Sequence, residues 1–365
     1  MPRSLFALLL SVAAAAAPAP PVDDGWRRIG PGLELSFPRD HGAHPDTKIE
    51  WWYFTGNLEA ADGRRFGFQY TVFRSGLDAT ALAPGESPLR LKQVYAGHLA
   101  LTDVAGQRTL FAERLRRGGT PLASASLTDM EVLLEDWELR RDEGDRMSID
   151  AGDVGEGFAI DLGLAPGKPL VLHGEGGYSA KGGEETNASA YVSWTRLNVE
   201  GTVLLDGEQI PVTGNAWYDH EFGTSVLGEG VTGWDWFGLH LDDGRDLMMF
   251  VLRREDGGFD PASAGTIVEV DGTFTPLARE DFQILATGDT FTGSSGAVYP
   301  AAWKLTVPAH GVELEAVPLV ADCELATGGS TGVTYWEGPV ELRGSTTGRG
   351  YAELTGYSGS MGGRL

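Results

Sequence analysis

Residues 44–74, HPDTKIEWWYFTGNLEAADGRRFGFQYTVFR, restrict the fold more than any other stretch of the chain. Trp52, Phe54 and Gly56 alternate with Tyr53, Thr55 and Asn57. After the turn residues Ala61-Asp62-Gly63, the residues Phe66, Phe68, Tyr70 and Val72 fall on one face. The pattern predicts two antiparallel strands joined by a tight turn. The first carries large aromatics on both faces, which suits ordinary solvent exposure poorly. It fits a sheet packed on one side and lining an apolar cavity on the other.

The rest of the chain repeats that grammar. Short alternating runs at 94–101, 130–139, 147–149, 158–164 and 192–203 read as strands, separated by Gly, Asp or Pro clusters at hairpin spacing. Fifty-two glycines favour many turns over long helices. Trp52-x-x-x-Gly56 followed by Asp62-Gly63-Arg64 returns as Trp234-x-x-x-Gly238 followed by Asp243-Gly244-Arg245, the tryptophans standing 182 residues apart (234 − 52). Tyr191-Val192-Ser193-Trp194 returns as Val333-Thr334-Tyr335-Trp336, 142 residues on (336 − 194). Two related antiparallel barrels, the first longer, explain both offsets. The predicted fold is all-β, with a first domain over 40–222, a second over 223–362 and an interior large enough for a small apolar ligand. Residues 22–43 read as an irregular arm laid on the surface.

A basic start, a short apolar run and an alanine-rich exit predict a secretory leader over 1–19. The apolar run is short for a membrane span, and no cysteine stands near the exit to carry a lipid. The mature chain is therefore expected in the periplasm or medium, without a stable membrane anchor. Cys323 is the one cysteine, so no internal disulfide forms and a buried structural thiol is expected. A formal net charge of −24 argues against nucleic acid and anionic membranes as partners.

Asn215-Ala216-Trp217-Tyr218-Asp219-His220-Glu221 is the densest chemical segment. Three adjacent ionisable groups beside two aromatics can supply an acid, a base and an orienting partner. On a strand Asp219 and Glu221 share a face and His220 takes the other. Asp219 or His220 can equally act as a polar latch on the backbone. Asp235 lies between Trp234 and Trp236, which share a face able to stabilise a cation, with Asp235 turned toward solvent. Glu50 reads either as an acid with a raised pKa or as a partner for Lys48, Arg64 or Arg74. His41, His44 and Asp46 have a spacing open to metal but lie in a Gly/Pro loop without a second ligand cluster, so no metal is expected. His98 reads as a core or cavity-wall residue, and His240 and His310 as exposed. No Gly-x-Ser-x-Gly elbow supports a serine hydrolase.

His44-Pro45 with Glu50-Trp51-Trp52-Tyr53-Phe54-Thr55-Gly56 resembles the carotenoid 1,2-hydratase (hydroxyneurosporene synthase, CrtC) family and its AttH-like relatives, secreted lipocalin-like two-domain proteins. The segments Asn215 to Glu221, Gly233-Trp234-Asp235-Trp236-Phe237, Tyr335-Trp336-Glu337-Gly338 and Glu353-Leu354-Thr355-Gly356-Tyr357 continue the resemblance in order. It implies two tandem lipocalin-like barrels, an apolar isoprenoid- or lipid-like ligand and acid-catalysed hydration of a terminal double bond without a cofactor. Asp219, His220, Glu221 and Glu50 are then the catalytic candidates. Trp51, Trp52, Tyr53, Trp217, Tyr218, Phe222, Trp234, Asp235 and Trp236 are the binding candidates. Phe222 departs from the family, whose members often carry Trp there, and so offers a weaker cation site. A non-catalytic carrier and an isomerase or cyclisation catalyst are the alternatives on the same scaffold.

Overall fold

The alternation seen around Trp52 becomes a hairpin of the strands Ile49–Ala60 and Arg65–Gly76, with Gly63 at φ +85° in its turn, where an L side chain would be strained. The computed structural model describes residues 22–361 apart from 24, 81–86, 88–89, 185–186 and 226, and the expected leader over 1–19 lies outside them. Every described strand pairing is antiparallel. Among the described residues the helices are three short 3₁₀ turns, and none is long and apolar enough to cross a membrane.

Thirteen strands make the first sheet, a nearly closed barrel. Its middle runs Gln93–Asp103, Arg65–Gly76, Ile49–Ala60, Glu208–Ser225, Ala188–Leu205, Phe158–Pro166. The chain leaves this sheet after Ser225 and enters a ten-stranded half-barrel at Val231. There the central order is Asp246–Arg254, Val231–Leu241, Gly348–Thr355, Thr334–Gly344. The architecture is the all-β, two-domain lipocalin-like fold.

Each sheet has its own core. Trp52, Phe54, Phe68, Tyr70, Trp137, Leu162 and Tyr218 fill the first barrel, and Phe237, Leu239, Met249, Trp303, Trp336 and Leu342 fill the second. The expectation of an open barrel interior is therefore corrected: large side chains occupy both interiors. A third cluster, with Tyr53, Tyr191, Trp217, Trp236, Phe250 and Tyr351, lies where the two sheets meet. The approach is close at Gly67, where a Cβ would sit 2.7 Å from Pro339 and 2.8 Å from the Tyr351 hydroxyl. Buried Asp246 of the second sheet binds Lys168 at 2.9 Å and Arg196 at 2.6 Å, pinning the sheets at another point.

Residues 22–43 also differ from expectation. Ile29, His41 and Ala43 are buried, the His41 carbonyl accepts the Trp52 indole N–H at 3.0 Å, and the His41 ring stacks on Trp194 at 4.8 Å. The Trp52 indole needs an acceptor once buried, and the arm supplies it, so the segment caps the barrel instead of lying on its surface.

Candidate functional site

Alternation decides which side chains meet. Even-numbered residues of Ile49–Ala60 point into the first barrel, and odd-numbered ones point at the second sheet. Glu208–Ser225 pairs with this strand so that Tyr53 stands opposite Asp219, Trp51 opposite Glu221 and Trp52 opposite His220. Between the sheets the odd-numbered faces leave a cavity of about 580 Å³. Its aromatic wall includes Trp51, Tyr53, Trp234, Trp236, Tyr191 and Phe250, and beside Glu50 it carries the carboxyl groups of Asp219, Glu221, Glu337 and Glu353.

The four carboxyls have different partners. Asp219 accepts the Trp217 indole N–H at 2.6 Å, the Tyr191 hydroxyl at 2.8 Å and the Ser193 hydroxyl. Burial nevertheless pushes it up to about 7. Glu221 accepts the Ser189 hydroxyl at 2.5 Å and pairs with Lys181 at 3.1 Å. Glu337 accepts the Tyr53 hydroxyl at 2.5 Å across the junction and stands directly opposite Glu353 in the second sheet. Burial raises Glu337 well above the ordinary carboxyl range, and the charge of Glu353 acts the same way. Burial pushes Glu353 to about 8, with Asp219 and Glu221 adding negative potential. Two neighbouring carboxyls that no basic side chain among the described residues neutralises keep a proton at neutral pH. Their strands were visible as Tyr335-Trp336-Glu337-Gly338 and Glu353-Leu354-Thr355, but sequence reasoning did not single out either glutamate as chemical. The available signal was that each falls on the same face as a cavity aromatic, Tyr335 for one and Trp236 across the ladder for the other.

The remaining candidates divide by face. Trp51, Tyr53, Trp234 and Trp236 line the cavity. Trp52, Tyr218 and Phe222 do not: Trp52 stacks on His220 at 5.0 Å, Tyr218 packs on Phe54 at 4.6 Å, and Phe222 stacks on His44 at 3.4 Å. Trp217 lies behind the wall, edge-on to Trp236 at 5.9 Å. Asp235 is buried, not solvent-facing, because Arg253 reaches it at 2.9 Å and Tyr357 at 3.2 Å. His240 is likewise buried, because it shares the junction face with Trp236, and its Nε2 donates to the Thr195 carbonyl at 2.7 Å. Cys323 is a buried free thiol, pushed up to about 12 by burial.

His220 and Glu50 form a separate centre. Glu50 Oε1 meets His44 Nδ1 at 2.8 Å and His220 Nε2 at 2.9 Å, while Oε2 accepts Arg74 Nε at 2.7 Å and the His44 N–H at 2.9 Å. Burial alone would raise the Glu50 carboxyl, but the two imidazoles and Arg74 overcome it and hold it well below the usual range. Glu50 touches the cavity wall and exposes none of its surface. The ionised partner of Arg74 is thus the arrangement formed, and His220, whose Nδ1 donates to the Asp40 carbonyl at 3.1 Å, latches the capping arm. Ligand atoms of His44, Glu50 and His220 lie within 4.8 Å of one another, a spacing open to a cation. A metal there would have to displace two imidazole hydrogen bonds and share its carboxylate with a buried guanidinium.

The chain matches the AttH-like family model over residues 28–357. It belongs to the AttH-like family. A crystal structure of an AttH protein of Nitrosomonas europaea is 35% identical, with a TM-score of 0.80, over 90% of this chain and 99% of that one. Kievitone hydratase of Nectria haematococca shares the fold at 14% identity and a TM-score of 0.68, over 92% of this chain and 97% of that one. CghA, solved with Sch210972, shares it at 13% identity and a TM-score of 0.51, over 86% and 90%. A search of curated protein sequences gave no match.

Proposed function

We propose that this AttH-like protein adds water across a carbon–carbon double bond of an apolar, isoprenoid-like molecule held between its two sheets. The observation that carries the reading is the Glu337–Glu353 pair, protonated near neutrality and facing aromatic walls. Protonating an alkene needs a carboxylic acid, not a carboxylate, and an apolar pocket keeps the acid form. Trp234 and Trp236 offer π faces to the tertiary cation that results. Asp219, held by three donors and poised near 7, is suited to positioning water and taking its proton. No step calls for a cofactor. Kinship of fold with a protein named a hydratase supports the choice of reaction.

The pair also favours catalysis over carriage. A carrier gains nothing from two buried neighbouring carboxyls, whose desolvation costs stability. In this reading Glu50 and His220 leave the catalytic set, Glu50 as the buried carboxylate partner of Arg74 and His220 as a hydrogen-bonding latch, while Asp219 and Glu221 stay at the site. We also propose export through the 1–19 leader, which N-terminal sequencing of the mature protein from a periplasmic fraction would test.

The functional test is incubation with an acyclic polyene ending in an isopropylidene group, in ¹⁸O-labelled water. Labelled alcohol from wild type, lost in Glu353→Gln and Glu337→Gln, is expected. Unlabelled rearranged product would indicate the isomerase instead. Full turnover by both variants would sink the acid assignment.

A further inference from the structure

Glu113, on the strand Arg108–Arg117 of the first sheet, ends a row of four side chains that begins at the cavity. It binds the loop that precedes Thr334–Gly344, taking the Gly329 N–H on Oε1 at 2.8 Å and the Ser330 hydroxyl on Oε2. Ser330 Oγ lies 2.9 Å from His98 Nε2, and His98 Nδ1 lies 2.8 Å from the Tyr335 hydroxyl. His98 is 1% exposed and Tyr335 5%; both line the cavity, as does half-buried Ser330, and half-buried Glu113 alone of the four lies outside its lining.

The polarity of this row follows from its last member. A carboxylate only accepts, so the Ser330 proton points at Glu113. Ser330 has no second proton, so His98 Nε2 must donate to it. Burial holds the His98 imidazolium down to about 3, so the ring is neutral, and its Nδ1 can only accept. The Tyr335 hydroxyl therefore donates to Nδ1. Every proton in the row points from the cavity toward the surface.

We infer that Tyr335, His98, Ser330 and Glu113 form a proton exit from the cavity. The inference rests on the hydration reading, in which the carboxylic acid's proton makes the new C–H bond and water's oxygen makes the C–O bond. Asp219 first takes one proton of that water, and the row offers that proton a way out. Tyr335 Oη accepts it as the Tyr335 proton passes to His98 Nδ1. The Nε2 proton passes to Ser330, and the Ser330 proton passes to Glu113 and on to solvent. One proton re-enters to restore the acid, so alkene plus water gives alcohol with no oxidant or reductant. His98 returns to its starting tautomer before the next turnover. A loop clamp alone would need the Glu113 contacts but not the buried His98–Tyr335 pair behind them.

The test is long-range ¹⁵N NMR on the full-length protein labelled at histidine, with H98N used to assign the signals. Wild type is expected to show His98 as the neutral Nε2–H tautomer. In E113Q the carboxamide oxygen keeps the Gly329 N–H and its amino group faces Ser330. The Ser330 hydroxyl then turns to His98 Nε2, and the ring switches to the Nδ1–H tautomer. With the isopropylidene polyene, E113Q and S330A should lower turnover by about 10²-fold and E113D should restore it. An Nδ1–H tautomer in wild type, or no switch in E113Q, overturns the relay whether or not any polyene is hydrated. Hydration by wild type at a rate that E113Q and S330A both keep overturns it as well.

Discussion

Tyr53 and Glu337, 284 residues apart in the chain, share a 2.5 Å hydrogen bond across the junction of the two sheets. Glu337 stands opposite Glu353 in its own sheet, so one hydroxyl of the first barrel orients an acidic pair built by the second. The site therefore exists only where the domains meet, the usual place for a ligand cleft.

Removing the acid is expected to stop chemistry without unfolding the protein. Glu353→Gln keeps the size and burial of the side chain and removes the proton donor, so hydration of the test polyene should fall by about 10²–10⁴-fold. Circular dichroism and the denaturation midpoint should stay close to wild type. Tyr53→Phe should cost less, because it frees Glu337 Oε1 without removing a proton from the pair.

Stability should depend on pH through the same residues. Glu353 sits near 8 in the folded protein, against about 4.3 in an unfolded chain. Its folded form holds a proton that the unfolded form has released, so stability falls as pH rises from about 4.3 to about 8 and then levels. Glu50 has the opposite sign: its carboxyl is held below the ordinary range, and its contribution disappears as pH falls below about 4. Urea midpoints across pH 3–9 should pass through a maximum on the acid side of neutrality. Glu353→Gln should flatten the alkaline slope, and the hydration rate of wild type should decline above about pH 8.

Alternation and turn chemistry are enough to read most of the strands and the split between Asp219 and His220, because each is a local property of period two. The run 130–139, expected as one strand, instead folds back at Glu135 as a hairpin of Glu131–Leu134 and Trp137–Arg141. The echo of Trp52 at Trp234 was visible but misleading about direction. Trp52 stands ten residues before Asp62 of its turn and Trp234 nine before Asp243 of its own (62 − 52 and 243 − 234). A single-residue difference exchanges the faces of a strand. Trp52 consequently fills the first barrel, whereas Trp234 lines the cavity. Glu337 and Glu353 went unnoticed because their chemistry comes from burial and from pairing across the ladder, neither of which a linear pattern displays. The same holds for Glu50: Arg74 was one of three possible partners until the hairpin register placed the two opposite each other.

Breaking the Glu50 centre should damage the fold before the reaction. Glu50→Gln leaves Arg74 buried beside a neutral carboxamide, and losing one partner of a buried pair costs about 3–5 kcal/mol. The chemical denaturation midpoint should drop accordingly, and the arm at 38–44, which His220 and Trp52 hold, should gain amide exchange. At a temperature where the variant stays folded, hydration should persist, because neither Glu337 nor Glu353 has been touched. Loss of activity from a fully folded Glu50→Gln protein would return Glu50 to the catalytic set.

A barrel-facing and a cavity-facing tryptophan make a sharper comparison. Trp236 meets the cavity and Trp52 does not, although both are more than 90% buried. If Trp236 stabilises a carbocation, Trp236→Leu keeps an apolar wall and loses the π face, worth about 2 kcal/mol where the cation is desolvated. That corresponds to a loss of about 30-fold in turnover with little change in apparent affinity for the polyene. Trp52→Phe should do the reverse: it gives up the indole bond to His41 and lowers stability by about 1–3 kcal/mol, while turnover stays near wild type. Steady-state kinetics and urea titration of the two variants decide the matter. Equal loss of turnover in both would mean that the barrel interior, not the junction, holds the reacting double bond.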